Sequence, residues 1–109
     1  MIARIWRGKV PTGKADEYFQ LMRDVAIPDY QGTPGNRGAY ALRREHEPEP
    51  GPDIHGGGVT EVVMLSFWES LDAIKAFAGE EPEVAKYYEF DDEFLLAKPS
   101  HVEHYSASD

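Results

Sequence analysis

Hydrophobic patterning along this 109-residue chain predicts an α+β domain in which helices cover one face of a four-stranded antiparallel sheet. Two observations carry that reading. Four runs rich in β-branched and aromatic residues lie at 2–10, 36–46, 59–68 and 101–105. Helical stripes fall only after the first and third of them. The order βαββαβ, occurring once and without internal repeat, is that of a ferredoxin-like sheet with both helices on the same side.

Each element has a local reason. Pro11 stops the first strand, and Thr12 is placed to cap a helix whose first turn carries Asp16 and Glu17. Ala15, Tyr18, Phe19, Met22, Val25 and Ala26 form its apolar stripe, and Pro28 marks its end. Asn36–His46 reads as a strand, although Gly38, Ala39 and Ala41 are weak strand formers. Residues 47–58 (EPEPGPDIHGGG), rich in proline, glycine and charge, are expected to be a mobile hairpin connection. Val59–Trp68 is the clearest strand. Ser70 caps the next helix, Leu71, Ile74, Phe77 and Ala78 mark its stripe, and Gly79 closes it. Pro82 opens a further helical segment through Val84, Tyr87 and Tyr88 to about Phe94. A last strand follows the break at Lys98-Pro99.

Composition narrows the function classes. One domain spanning 1–109 is the expectation at this length. The absence of cysteine excludes disulfides, thiolate catalysis and cysteine-ligated metal. A net charge of −9 repels phosphate backbones, which argues against nucleic acid. The acidic excess, in Glu80-Glu81, Glu83 and 89–93, reads as a solvated face. No apolar run has the length of a membrane span or signal peptide, so a soluble cytoplasmic domain is expected.

The third strand is the informative one. Val59, Val63, Leu65 and Phe67 share one face with Glu61, while Val62, Met64 and Trp68 share the other with Thr60 and Ser66. Helices can cover only one of two largely apolar faces. The other needs a partner, and a second copy is the simplest, because a two-fold contact requires a single self-complementary surface. Two such sheets face to face make a dimeric α/β barrel with room for a small apolar or aromatic ligand.

A strand ending in Ser66-Phe67-Trp68-Glu69-Ser70 and running straight into an apolar helix resembles the antibiotic biosynthesis monooxygenase group of dimeric α/β-barrel proteins. Ala76-Phe77-Ala78-Gly79, Tyr87-Tyr88, 91–95 (DDEFL) and 102–105 (VEHY) resemble its small bacterial members. The resemblance implies an oxygenase without metal, flavin or other cofactor. An electron-rich phenolic substrate is deprotonated, gives an electron to O2 and recombines in a pocket that excludes water. Isomerases, cyclases and non-catalytic binding or stress-associated proteins share the fold.

The candidate residues follow from both readings. Trp68 matches the family's strand-end tryptophan and serves as pocket wall or dimer-core anchor. Met64 and Ser66 share its face, and Met64 stands where some monooxygenases place an asparagine. Arg4 and Trp6 share a face of the first strand, from which Arg4 can stabilise a substrate oxyanion or pair with an edge acid. His104 is a candidate base, or a histidine hydrogen-bonded at a strand end. Tyr40, Tyr87 and Tyr88 are candidate hydroxyl donors. His101 lies on the opposite strand face from His104, a poor metal pair. His46 and His55 lie beside acids in a loop without fixed geometry, so no metal site is expected. Gly56-Gly57-Gly58 lacks the lysine of a phosphate loop. The haem-degrading branch takes an axial histidine from the helix after the tryptophan, and here no histidine occurs between Gly56 and Ser100.

Overall fold

The computed structural model describes residues 1–46 and 58–108. The expected connection at 47–57, with His55 and its acidic neighbours, lies outside them, as does the side chain of His46. Four strands, β1 (Ile2–Pro11), β2 (Asn36–His46), β3 (Val59–Trp68) and β4 (Glu103–Ser106), form one sheet in the order β2-β3-β1-β4. Every pairing is antiparallel. β1 reaches Pro11, which still lies opposite Val59 in the ladder. β4 begins two residues later than expected, because His101 pairs as an isolated bridge with Val84 instead.

The first helical region runs further than the pattern foretold. A 3-10 turn at Thr12–Lys14 leads into α1 (Ala15–Leu21), a π turn at Met22–Ala26, and then α2 (Ile27–Gln31). Pro28 therefore sits within the first turn of α2 and does not terminate the helix. Proline lacks an N–H and crowds the preceding turn, and the wide π turn just before it supplies the accommodation. Thr12 makes no side-chain cap; its hydroxyl pairs with that of Thr60 at 3.0 Å. The stripe is carried by Ala15, Tyr18, Met22, Ala26 and Tyr30, whereas Val25 faces water.

α3 (Leu71–Ala78) obeys the sequence. The Ser70 hydroxyl accepts from the Ala73 N–H, and Gly79 ends the helix at φ 104°, a conformation that favours glycine. The expected helix at 82–94 is absent. Residues 79–102 cross the sheet irregularly, with one 3-10 turn at Glu89–Glu93. The Asp91 carboxylate takes the Tyr88 N–H at 2.6 Å, a local bond that competes with helix continuation.

All the helices lie on one face of the sheet. Trp6 and Val10 of β1 and Val62, Met64 and Trp68 of β3 join Tyr18, Met22, Tyr30, Ile74 and Phe77 in a single core. Ala39 and Ala41, poor strand formers, point to this face too, where small side chains let α2 approach β2. The opposite face carries Ile5, Tyr40, Leu42, Val63, Leu65 and Phe67, in cross-strand register, with Tyr40 and Leu42 about half exposed (56% and 46%). Both faces of β3 are apolar, and the helices cover only the one that holds Trp68.

Candidate functional site

The site grows from a charge in the wrong solvent. Arg4 is fully buried on the helix-covered face, where its neighbours across the ladder are Ser66 and His104. A buried guanidinium normally faces a carboxylate. Here its Nη2 donates only to the Val84 carbonyl at 3.4 Å, while Nε and Nη1 have no partner among the described residues. The Phe77 ring lies 5.5 Å away, within cation–π range. Burial depresses the guanidinium pKa, and the groups that oppose this are the phenols of Tyr30 and Tyr88.

Among the described residues, two further buried polar atoms on this face are unpartnered. Trp6 Nε1 lies on the same face of β1, and His104 Nε2 projects from β4 opposite Arg4. Burial, together with the Arg4 charge, pushes the imidazole below its ordinary value of 6.5 and keeps it neutral at physiological pH. Native interiors leave few such groups, so a cluster of them on one sheet face calls for an explanation.

Aromatic rings wall this region. Trp6 meets Tyr87 edge-on at 6.1 Å, and Tyr30 packs between Trp68 (6.3 Å) and Phe77 (4.3 Å). Burial raises the Tyr30 hydroxyl to about 12 despite the adjacent Arg4. Between helices and sheet lies a cavity of about 10 Å³, lined by Trp6, Tyr18, Met22, Ala26, Tyr30, Met64, Lys86, Tyr88 and Asp91. That is room for about one water. Roomier grooves, of about 410 and 580 Å³, lie elsewhere on the surface and touch none of the residues nominated from the sequence.

Two carboxylates order the phenols around the cavity. Tyr18 donates to Asp91 at 2.7 Å, and Asp91 is 1% exposed. Burial raises its pKa against the pull of the Tyr88 N–H and the Tyr18 hydroxyl. Tyr88 and Lys86 both donate to Asp29 Oδ2, at 2.7 and 2.9 Å. Burial works to raise the Asp29 carboxyl, but these two donors outweigh it and hold it below the usual carboxylate range.

Of the nominated residues, Arg4, Trp6, Met64, Ser66, Trp68 and His104 share the helix-covered face, and of the nominated set Trp6, Met64 and Tyr88 line the cavity. The sequence leaves open which strand faces point inward; the side these residues occupy is covered by this chain's own helices. The Trp68 indole N–H is satisfied by Ser66 Oγ at 2.9 Å, and the ring stacks into the core against Phe77. It anchors the core of the domain. Tyr40 is separated from the rest, because it lies on the open face against Phe67. Sequence reasoning did not nominate Tyr18, Tyr30, Lys86, Asp29 or Asp91 for the site. Tyr18 carried a stripe signal that led only to the core, and Asp91 was hidden in an acidic run that looked solvated.

The fold and the site together define a small α+β domain with a buried arginine and a water-sized cavity between its helices and a four-stranded antiparallel sheet. No family model matches the chain, and no curated protein matches it. The chain is similar to the solved structure of Rv0793 from Mycobacterium tuberculosis, at 21% identity and a TM-score of 0.55, with 99% of this chain and 95% of that one covered. That likeness supports the fold. No helix among the described residues is long and apolar enough to cross a membrane.

Proposed function

We propose that the chain binds an acidic aromatic small molecule, a phenol or its carbonyl tautomer, between the helices and the sheet, and oxidises it with O2 without a cofactor. The single observation that carries this reading is the buried, unpaired Arg4 among aromatic rings. A desolvated cation with free N–H groups favours an anion strongly, because the interaction is little screened there. His104, neutral and beside Arg4, takes the proton, and Arg4 holds the resulting oxyanion. One electron passes from the substrate anion to O2, and the radicals recombine as a peroxide at carbon. Loss of water then leaves a carbonyl. In sum, a ring methylene and one molecule of O2 become a ring carbonyl and one molecule of water, which balances without any further reductant.

The resemblance supports the chemistry, and the strand order β2-β3-β1-β4 supports a ferredoxin-like protomer. We extend the proposal to the assembly: the open face, with Tyr40, Leu42, Leu65 and Phe67, meets the same face of a second copy to form a dimeric α/β barrel. Oxygen uptake with a hydroxyanthrone, using metal-free and flavin-free protein, tests the reaction. Consumption that tracks quinone formation and vanishes in Arg4→Met supports it, and a silent protein refutes it. The water-sized cavity favours a second reading, a non-catalytic domain whose core is filled by its own side chains. Turnover that persists without O2 would instead point to an isomerase or cyclase.

A further inference from the structure

A site closed to the size of one water needs a way in, and the fold confines the possibilities. β1, β3 and the two helical regions are tied by ladders and helical bonds. Residues 85–100 are tied otherwise. Their ends meet at a neck, where Ala85 N–H donates to Ser100 O (2.9 Å) and Val102 N–H to Glu83 O (2.8 Å), around the Val84–His101 bridge. A 16-residue segment with adjoining ends has the anatomy of an Ω-loop. It also packs on itself. Tyr88 and Phe90 stack at 5.6 Å, and the Tyr87 hydroxyl donates to the Pro99 carbonyl.

This loop supplies Tyr88, Asp91 and Lys86 to the cavity wall. Its grip on the rest of the molecule is partly apolar, with Phe94 buried in the core at 5.2 Å from Tyr18 and Tyr87 meeting Trp6 at 6.1 Å, and partly polar. Asp29 of α2 receives both Lys86 and Tyr88 on one oxygen, Asp91 receives Tyr18, and Leu96 N–H reaches the Lys9 carbonyl at 2.9 Å. Leu95 also lies over Gly8, where an added Cβ would come within 2.9 Å of it. The only hydrogen bond of Arg4 among the described residues runs to Val84, in the neck itself.

We propose that residues 85–100 are the cover of the cavity lined by Trp6, Tyr30 and Met64, opening as a unit about the Val84–His101 neck, with Asp29 as its latch. Opening removes Tyr88 and Asp91 from the wall and uncovers Trp6, Tyr30 and Met64 behind them. Local units with few ladder bonds open at lower free energy than the sheet beneath them. The motion belongs to the free protein; the reading of the site given above decides only what enters.

Hydrogen exchange on the ligand-free protein, wild type and Asp29→Asn, tests it. Amides of 85–100 are expected to exchange together, at least about tenfold faster than those of β1 and β3. Asp29→Asn is expected to speed that group about five- to tenfold while leaving the two strands unchanged, since it weakens one partly exposed ion pair and one hydrogen bond to a charged group. Tyr88→Phe, which removes one latch bond alone, is expected to give a smaller acceleration of the same group and serves if Asp29→Asn folds poorly. Exchange of 85–100 at the rate of the strands, or equal acceleration of all three regions, overturns the proposal. A loop that opens in a protein that never consumes oxygen would leave the cover standing and sink the oxygenase instead.

Discussion

Replacing Arg4 by methionine separates a residue kept for stability from one kept for a ligand. The guanidinium is fully buried, with two of its three nitrogens unpartnered among the described residues. Each buried donor left unmade costs about 1–3 kcal/mol. Against that stand the Phe77 ring at 5.5 Å, worth about 0.5–2 kcal/mol, and one long bond to Val84 that contributes at most about 1 kcal/mol. Methionine fills a similar volume with adaptable apolar atoms and removes the unmet donors. The expected result is a gain of about 1–3 kcal/mol, or roughly 4–12 °C in Tm for a chain of this size. Urea denaturation at one fixed protein concentration measures it, so that any linkage to association stays constant. The variant should at the same time lose affinity for an anionic phenol. A loss of about 2 kcal/mol or more would refute the reasoning, because it would mean that the guanidinium has a structural partner in solution.

Three other outcomes follow from the same geometry. Asp91→Ala strands the Tyr18 hydroxyl and the Tyr88 N–H in the interior and should cost about 2–4 kcal/mol, read by chemical denaturation. His104 binds its proton less tightly folded than unfolded, so its contribution to stability is full above 6.5 and is lost as the pH falls through that value toward the depressed folded pKa. His104→Gln should flatten that part of the stability–pH curve, and an imidazole titrating at or above 6.5 by NMR would contradict the assignment. Trp68→Phe leaves Ser66 Oγ buried without its donor and thins the stack on Phe77, so a loss of about 1–3 kcal/mol with association intact is expected, checked by denaturation and sedimentation together.

The bounds of β2 and β3 were readable from the sequence because alternation and β-branching are local properties. Ser70 and Gly79 framed α3 for the same reason. Where a neighbour decided the outcome, local reasoning failed. Pro28 reads as a helix stop unless a π turn precedes it, and nothing local announces one. Pro82 and the aromatic spacing promise a helix at 82–94, but the Asp91 side chain captures the Tyr88 N–H and turns the chain. The facing of β3 was legible as two apolar sides, whereas the side covered by helices was not, since both sides satisfy the same pattern. Arg4 and His104 were nominated on separate strands, and only the β1–β4 register made them neighbours. Asp91 and Tyr18, 73 positions apart, carried no signal of their pairing.

The two faces of the sheet differ in a way that assigns them different work. On the open side the charges are matched at the margin, Arg7 with Glu103 at 3.1 Å and Arg44 with Glu61 at 2.8 Å, and of the apolar residues there Tyr40 and Leu42 are about half exposed. Such a surface has everything to gain from a flat apolar partner, and among the described residues no buried polar atom on it lacks a partner. On the helix side the apolar residues are already buried, while Arg4, Trp6 and His104 hold unmet polar atoms. A further protein surface cannot reach them; a small polar molecule can. Substitutions on the two faces should therefore separate cleanly. Leu42→Glu should abolish association in sedimentation and leave binding of a phenol to each protomer within about twofold, because it lies across the sheet from Arg4. Arg4→Met should do the reverse. If Leu42→Glu removed binding as well, ligand and partner would share one chamber between two sheets, and the division of labour drawn from the facing of Arg4 would be wrong.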